Sequence, residues 1–332
     1  MGYDIIFNHI IKRSVRMQAE KIKEYYEKIA ANLSKVIIGR DDTIKFLITA
    51  LFAEGNVLLE DVPGSGKTTL AKALAVSVDG EFARIQMTPD LLPADITGIN
   101  YYNPKTMEFN FVKGPAFSNI LLADEINRAT PKTQSGLLEC MEEKQITIEG
   151  NTCKLNRPFM VIATQNPIDN QGVFPLPEAQ MDRFLMKLTM DRVSHEAGMQ
   201  ILKLYAVGET YPSLKACVSK EEIIDIQDSV NNIKVHDDIL NYALNLAEAT
   251  ALHEKILLGA STRGALGLVK AAKAYAATNG RDYCLPDDIK AVFKPVIAHR
   301  LILKSTERLK GGLAETVIDE ILANTVVPTE EL

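Results

Sequence analysis

Three short apolar runs in the first half of the chain end in polar residues. They are Asn56–Glu60, Ile120–Glu125 and Arg157–Asn166. Runs of this length with few interior polar residues are typical of strands buried in a parallel sheet. After the first run, Leu70, Ala73, Leu74 and Val78 recur at helical spacing. The pattern therefore predicts a doubly wound α/β core, a parallel sheet with helices on both faces.

The second half of the chain is rich in Ala and Leu at helical spacing from about residue 192 onward. Ser219 and Glu222 form a capping box that opens one helix, and Ser261 is placed to cap a long Ala-rich helix. Another helix is expected from Pro286, with His299 and Arg300 near its end, where cations favour the helix dipole. We predict an all-helical lid domain, with linker-like residues at 208–213.

Two stretches of alternating residues predict β-hairpins. One is Gln145–Leu155, which turns at Gly150-Asn151, and the other is Tyr101–Phe111. Their tips present Glu149 and a single Lys105. Because a hairpin that separates nucleic-acid strands needs a cluster of cations, these tips disfavour that role.

Composition limits the classes of function. Of 332 residues, 46% are hydrophobic and 6% aromatic, and tryptophan is absent, so the core is expected to be mostly aliphatic. The formal net charge of −6 and the pI near 5.5 argue against a protein whose main task is coating nucleic acid or an anionic membrane. The four cysteines form no C-x-x-C pair, which indicates neither a zinc site nor a disulfide framework. A reducing cytoplasm is the simplest setting.

The first thirty residues predict an amphipathic helix, with Ile22, Tyr25, Tyr26 and Ile29 on one stripe. This stripe favours an extra packing helix over a membrane anchor. No apolar run approaches the ~20 residues that cross a bilayer, so no membrane span is expected.

Residues Asp61–Thr68 contain the core of a phosphate-binding loop between a predicted strand and a predicted helix, the setting that this motif requires. Backbone N–H groups from Gly64 to Lys67 and the positive end of the helix are expected to bind phosphate oxygens. Lys67 is predicted to reach the β- and γ-phosphates of ATP, and the Thr68 hydroxyl to ligate Mg²⁺. Asp61 stands where the general motif has its first Gly, and an ordinary surface loop is the competing interpretation.

Polar residues at the ends of the other two runs complete the predicted chemistry. Asp124 is expected to hold Mg²⁺ through water, and Glu125 to orient and deprotonate the attacking water. Asn166, on a neighbouring strand, is placed to hydrogen-bond the γ-phosphate or that water. The plainer alternatives are an acidic helix N-cap for the carboxylates and a turn cap for Asn166.

Five motifs in order make the chain resemble the MoxR family of AAA+ ATPases over roughly residues 32–328. They are Leu58–Gly64, Thr88–Gly98, Ala123–Ala129, Ala163–Pro167 and Leu176–Phe184. The Asp61 form of the loop also occurs in that family. The resemblance implies an AAA+ α/β core at 32–191 and a linker and helical lid at 192–332, after a helical extension at 1–31. It also implies a homo-hexameric ring with ATP bound between subunits.

The resemblance implies further site residues. Arg183 resembles the arginine finger that reaches the γ-phosphate of the neighbouring subunit; a surface ion pair with Asp182 or Glu178 is the alternative. Arg263 resembles the sensor-2 arginine, and whether it acts in its own subunit or in the adjacent one stays open, as does a solvated role at a capped helix start. The remaining nucleotide contacts are expected at Asp61, Pro63, Gly64, Ser65, Gly66, Thr69, Ile38 and Gly39.

At the cellular level, the resemblance implies a chaperone-like ATPase that remodels or activates client protein complexes, often alongside a von Willebrand A domain protein. A nucleotide-dependent scaffold and a nucleic-acid-associated AAA+ motor are the alternatives. The acidic pI and the weakly charged hairpins disfavour the motor, and no stable nucleic-acid partner is expected. The residues for hydrolysis disfavour the scaffold, since a pure binder has no need of them: Lys67, Thr68, Asp124, Glu125, Asn166 and Arg183.

Overall fold

The computed structural model describes residues 19–60, 64–148, 150–166, 172–190, 193–206, 214–310 and 313–328. The strands are β1 (Val57–Glu60), β2 (Phe82–Gln86), β3 (Gly98–Asn103), β4 (Glu108–Lys113), β5 (Ile120–Asp124), β6 (Gln145–Ile148), β7 (Asn151–Lys154), β8 (Met160–Gln165), β9 (Met186–Thr189), β10 (Ile256–Leu258) and β11 (Ile302–Leu303). The helices are α1 (19–34), then α2 (Asp41–Phe52), α3 (Lys67–Ser77), α4 (Pro93–Thr97), α5 (Pro131–Glu143), α6 (Glu178–Met181), α7 (His195–Ala206), α8 (Lys220–Val230), α9 (Asp237–Leu252), α10 (Thr262–Thr278), α11 (Pro286–Ile297), α12 (Ser305–Leu309) and α13 (Ala314–Asn324).

Five parallel strands form the central sheet, in the order β2–β5–β8–β1–β9. Because side chains alternate along a strand, Leu58 and Leu121 face one core, which includes buried residues of α5. Their neighbours Leu59 and Leu122 face another core with residues of α2 and α3. The predicted doubly wound α/β fold is confirmed, and the three apolar runs supply β1, β5 and β8.

The carboxyl ends of β1, β5 and β8 meet at one edge of the sheet, as they must in parallel pairing. β1 leads into the phosphate loop, β5 ends at Asp124, and β8 leads to Asn166. The antiparallel pairs β3–β4 and β6–β7 are the two predicted hairpins.

The lid is built from helices α7–α13 and one short β-ribbon, β10–β11. Its capping predictions are confirmed at α8, where Glu222 N donates to Ser219 Oγ at 3.2 Å and Ser219 N to Glu222 Oε2 at 2.8 Å. At α10, Gly264 N donates to Ser261 Oγ at 3.4 Å. The linker-like residues 208–213 lie outside the described residues.

Helix α1 packs against both the sheet domain and the lid. Tyr25 donates to Glu222 Oε1 of α8 at 2.8 Å, and Asn32 Nδ2 donates to Ser77 Oγ at the end of α3 at 2.9 Å. Ile22, Ile29 and Leu33 are buried. Residues 1–18 of the predicted amphipathic stretch lie outside the described residues. Within the ranges described, no helix has the length and apolarity of a membrane span.

The two basic residues expected near the end of α11 differ in their surroundings. His299 and Arg300 do follow directly, in a 3₁₀ turn. However, His299 is half-buried with its Nδ1 atom enclosed, and desolvation first, then the adjacent charge of Arg300, holds its pKa well below the usual value. His299 is therefore a neutral packing residue, and the positive charge at this helix end comes from Arg300 and from Lys294 in the last turn of α11.

Candidate nucleotide site

The described part of the predicted phosphate loop, residues 64–68, turns on two glycines. Gly64 and Gly66 have φ of 83° and 95°, in the left-handed region that favours glycine. Gly66 is the N-cap of α3 and no side chain of the described residues caps it, which leaves the first-turn N–H groups directed at the loop. Anions bind where such groups and the helix dipole coincide.

The adjacent strand ends bring the predicted carboxylates together. Thr164 of β8 fixes both: its Oγ1 donates to Asp124 Oδ1 at 2.6 Å and accepts from Glu125 N at 2.8 Å. Glu125 has φ of 58°, uncommon for a residue with a side chain. Such conformations persist where the surroundings enforce them and are concentrated at functional sites.

Side chains from β2 and from the turn after β5 contact one further oxygen of each carboxylate. Arg84 Nη2 donates to Asp124 Oδ2 at 2.7 Å. Gln86 Nε2 donates to Glu125 Oε2 at 2.7 Å, and Arg128 Nε lies 3.2 Å from the same oxygen. Two donors, Gln86 and Arg128, thus hold the carboxylate of Glu125 beside the phosphate loop.

The phosphate loop and the two carboxylates line one cavity of about 360 Å³, a size suited to a small-molecule ligand. Its lining comprises Gly64, Ser65, Gly66, Lys67, Thr68, Arg84, Asp124, Glu125 and Asn166. Ile38, Gly39 and Thr69, also expected at the nucleotide, do not belong to this lining. Ile37 does approach the loop, with its Cδ1 4.0 Å from the position that a Cβ of residue 66 would take. The expected contacts Asp61 and Pro63 fall outside the described ranges.

The lining fits a nucleotide and its metal. Ser65 Oγ is buried without a hydrogen-bond partner in the described part of the chain, and a phosphate oxygen would satisfy it. Lys67 supplies a cation for phosphate. The Thr68 hydroxyl and the Asp124 carboxylate offer the oxygen ligands that Mg²⁺ takes in sites it shares with phosphates.

The two predicted arginines lie in a different cavity, of about 270 Å³. Arg183 Nη1 is 3.0 Å from Glu142 Oε2, and Arg263 Nη2 forms an ion pair with the other oxygen of Glu142. Arg183 thus forms an ion pair, but its partner is Glu142 of α5 and not Asp182 or Glu178. Among the described residues, the two cavities share no lining residue.

The second cavity carries an excess of positive charge. Its cationic side chains are Lys144, Arg183, Arg263, Lys270 and Arg300, against the carboxylates Glu54, Glu142 and Asp182. Burial, followed by the charge of Lys144, lowers the pKa of Lys270. An anionic group of a neighbouring molecule would relieve this repulsion.

Sequence reasoning did not single out several residues at these sites. Arg84 and Gln86 belong to a half-exposed strand without an apolar run, and only the register of β2 on β5 pairs Gln86 with Asp124. Thr164 lies inside the motif that predicted a role for Asn166. No local signal connects Glu142 with Arg183 and Arg263, because these residues are far apart in the chain.

Comparison with known proteins agrees with this architecture. Residues 56–186 match the ATPase family associated with various cellular activities (AAA), and residues 248–321 match the AAA lid domain. The chain superposes on the crystal structure of a candidate ATPase from Cytophaga hutchinsonii with a TM-score of 0.88 and 37% identity, covering 96% of this chain and 100% of that one. The fold and site therefore define an AAA+ ATPase with a helical lid.

Two curated relatives indicate the family to which the chain belongs within this class of ATPases. The chain is 45% identical to the uncharacterized protein YeaC of Bacillus subtilis, over 91% of this chain and 95% of that protein. It is 39% identical to the chaperone MoxR1 of Mycobacterium tuberculosis, over 92% of this chain and 82% of that protein. The chain belongs to the MoxR family of AAA+ ATPases.

Proposed function

We propose that this protein hydrolyses ATP to ADP and phosphate with Mg²⁺, at sites completed between adjacent copies in a hexameric ring. The observation that carries the proposal is the separation of the site into two cavities on one chain. The phosphate loop and carboxylates line one cavity, and Arg183 and Arg263 line the other. Two such halves form a full site only when one subunit faces the next.

On the first subunit, Lys67 and the loop N–H groups bind the β- and γ-phosphates. Thr68 and Asp124 hold Mg²⁺, which neutralises phosphate charge when bound. Glu125 accepts the proton of the attacking water and is aimed by Gln86 and Arg128. Asn166 lines the same cavity, in reach of that water or of the γ-phosphate.

On the second subunit, Arg183 acts as the arginine finger, which stabilises charge on the transferred phosphoryl group. Fingers of this kind change turnover by ~10³–10⁵ in GTPases. Arg263 is proposed to act in the same direction, toward the neighbour, because it shares Glu142 with Arg183 and does not line the phosphate-loop cavity. This arrangement supports action in trans, one of the two alternatives that the sequence leaves open.

The proposed cellular role is chaperone-like remodelling or activation of client protein complexes in the cytoplasm. The relative named chaperone MoxR1 supports this role. A von Willebrand A domain protein is the proposed partner class, by family resemblance. The lid, joined to the ring interface through α10, would transmit the result of hydrolysis to the client.

The test is Mg²⁺-dependent ATP hydrolysis by the purified full chain, measured against its own concentration. Glu125→Gln is the control for contaminating activity, and Glu139→Gln, at an exposed position of α5, is the matched neutral control. Turnover per subunit that rises with concentration supports the shared site. Turnover that is independent of concentration, or no higher than that of Glu125→Gln, contradicts it.

A further inference from the structure

We propose that Arg300 is a positioning residue that fixes the chain segment carrying Arg183 and, through Asp182, the start of α10 carrying Arg263. The two arginines would then be presented to the neighbouring subunit as one unit attached to the lid. The inference rests on the proposed function, because it concerns the half of the site that acts in trans.

Arg300 directs nearly all its donors at residues 182–185. Its Nε donates to Asp182 Oδ1 at 2.6 Å. Its Nη2 donates to the carbonyl oxygens of Asp182 at 3.1 Å and Phe184 at 2.7 Å. Its Nη1 lies 3.3 Å from the Leu185 carbonyl oxygen and also bonds Val296 in α11. Arg183 is therefore flanked on both sides by residues that one lid guanidinium holds.

Asp182 extends the connection to the second arginine. While its Oδ1 accepts from Arg300, its Oδ2 accepts from Ser261 Oγ at 3.3 Å. Ser261 is the N-cap of α10, two residues before Arg263. One carboxylate thus joins the turn after α11, the segment before β9 and the first turn of α10.

The burial of Arg300 distinguishes its ion pair with Asp182 from a surface ion pair. Its side chain is 4% exposed and that of Asp182 is 20% exposed. Burial lowers the pKa of Arg300, and the bond and charge of Asp182 oppose that effect. A buried ion pair is weak evidence for stability, since desolvation can exceed the attraction, but it can specify one geometry.

The α10 helix is shaped to admit this arginine. A Cβ at Gly264 would lie 3.3 Å from Arg300 Cδ, closer than ordinary contact, so the arginine side chain would have to shift by a few tenths of an ångström. Gly264 also provides the N–H that Ser261 caps. The helix that bears Arg263 therefore packs directly on the residue that holds Arg183.

The test is a mixing experiment with Arg300→Lys. Lysine keeps a positive charge for Asp182, but a single ammonium cannot reproduce the fork of guanidinium bonds. We expect kcat of the full-chain ATPase to fall by about 10- to 100-fold, as for a misplacement of order 1 Å, with KM for ATP unchanged. Added Glu125→Gln subunits should restore turnover, since they lend an intact Arg183 to the intact phosphate loop of the variant.

Two control experiments distinguish the possible results of the Arg300→Lys test. Arg281→Lys alters another lid arginine that bonds a buried carboxylate, Asp288, without contacting residues 182–185, and should leave turnover unchanged. Arg183→Ala mixed with Glu125→Gln reports on the shared site itself. Should Arg300→Lys fail to melt cooperatively, Asp182→Asn, which keeps the shape and removes the charge, is tested instead.

A loss of kcat that mixing restores supports the inference. Full turnover by the folded variant would overturn it. So would a loss that mixing does not restore, in conditions where Arg183→Ala is restored, because the lesion would then lie in the subunit's own site. If Arg183→Ala itself is not restored, the shared site fails, and the inference fails with it.

Discussion

The two cavities of this chain are assembled in different ways. The phosphate-loop cavity collects residues from strand ends of one sheet, so the sheet fixes its geometry. The arginine cavity collects residues from α5, the segment before β9, α10 and the turn after α11, so its geometry depends on how the lid packs on the core. The geometry of the first half of the site is therefore set within the sheet domain, whereas that of the second half depends on contacts between the core and the lid.

The two cavities also differ in their balance of positive and negative charge. In the first cavity two cations, Lys67 and Arg84, accompany two carboxylates, Asp124 and Glu125. The second has more cations than carboxylates. If the first cavity holds ATP as proposed, the second cavity of a neighbouring copy would offer it a surface of complementary charge.

The largest expected effect belongs to the first cavity. Lys67→Ala removes the cation that meets the phosphates, and hydrogen bonds to charged groups contribute ~1.5–3 kcal/mol each. We expect ATP binding to fall below detection in calorimetry and turnover to be lost. Lys72→Ala, at an exposed position of the same helix, should bind ATP normally. Tight ATP binding by the Lys67 variant would refute the assignment of the loop.

The next effect belongs to the second cavity and should leave binding intact. Arg183→Ala is expected to bind ATP as the parent does and to lose turnover by up to ~10³–10⁵, since the finger acts on charge that develops in the transition state. Parallel binding and hydrolysis assays test this. Unchanged turnover would show that Arg183 is not an arginine finger and serves only in its ion pair with Glu142.

His299, next to Arg300 of the second cavity, is predicted to make the stability of the protein depend on pH. The folded-state pKa of His299 lies below its unfolded value, so below about pH 6.5 the unfolded chain binds a proton that the folded chain does not. Its contribution to stability is present at neutral pH and is lost as pH falls, by at most about 1.4 kcal/mol per pH unit. Chemical denaturation from pH 7.5 to 5.5 should show a shallower loss for His299→Gln. An identical slope would contradict the burial of a neutral imidazole.

The smallest effect is expected at Glu142. Its two ion pairs are a third to a half exposed, and pairs of that kind contribute ~0–1 kcal/mol. Glu142→Gln releases both arginines from a competing carboxylate, so the subunit concentration for half-maximal turnover should fall slightly, less so at high salt. A loss of turnover as large as that of Arg183→Ala would make Glu142 a required positioning group.

The contrast between the cavities also explains what the sequence could predict. The strands β1, β5 and β8 and the loop follow from apolar runs and spacing, because each feature is local and parallel strands bring their ends together. Gln86 and Arg84 could not be placed, since they depend on strand register. Glu142 and Arg300 could not be placed either, because their partners are tens of residues away and only tertiary packing brings them into contact. The local sequence did not distinguish the surroundings of His299 from those of Arg300, because burial leaves no mark there.

The central claim is that one subunit's phosphate loop works with the next subunit's arginines. Mixing Arg183→Ala with Glu125→Gln tests it most directly, since each variant retains the half that the other lacks. We predict that the mixture hydrolyses ATP well above the sum of the two proteins assayed alone. A mixture no more active than that sum, with both variants folded and binding ATP, would show that the site is not shared between subunits.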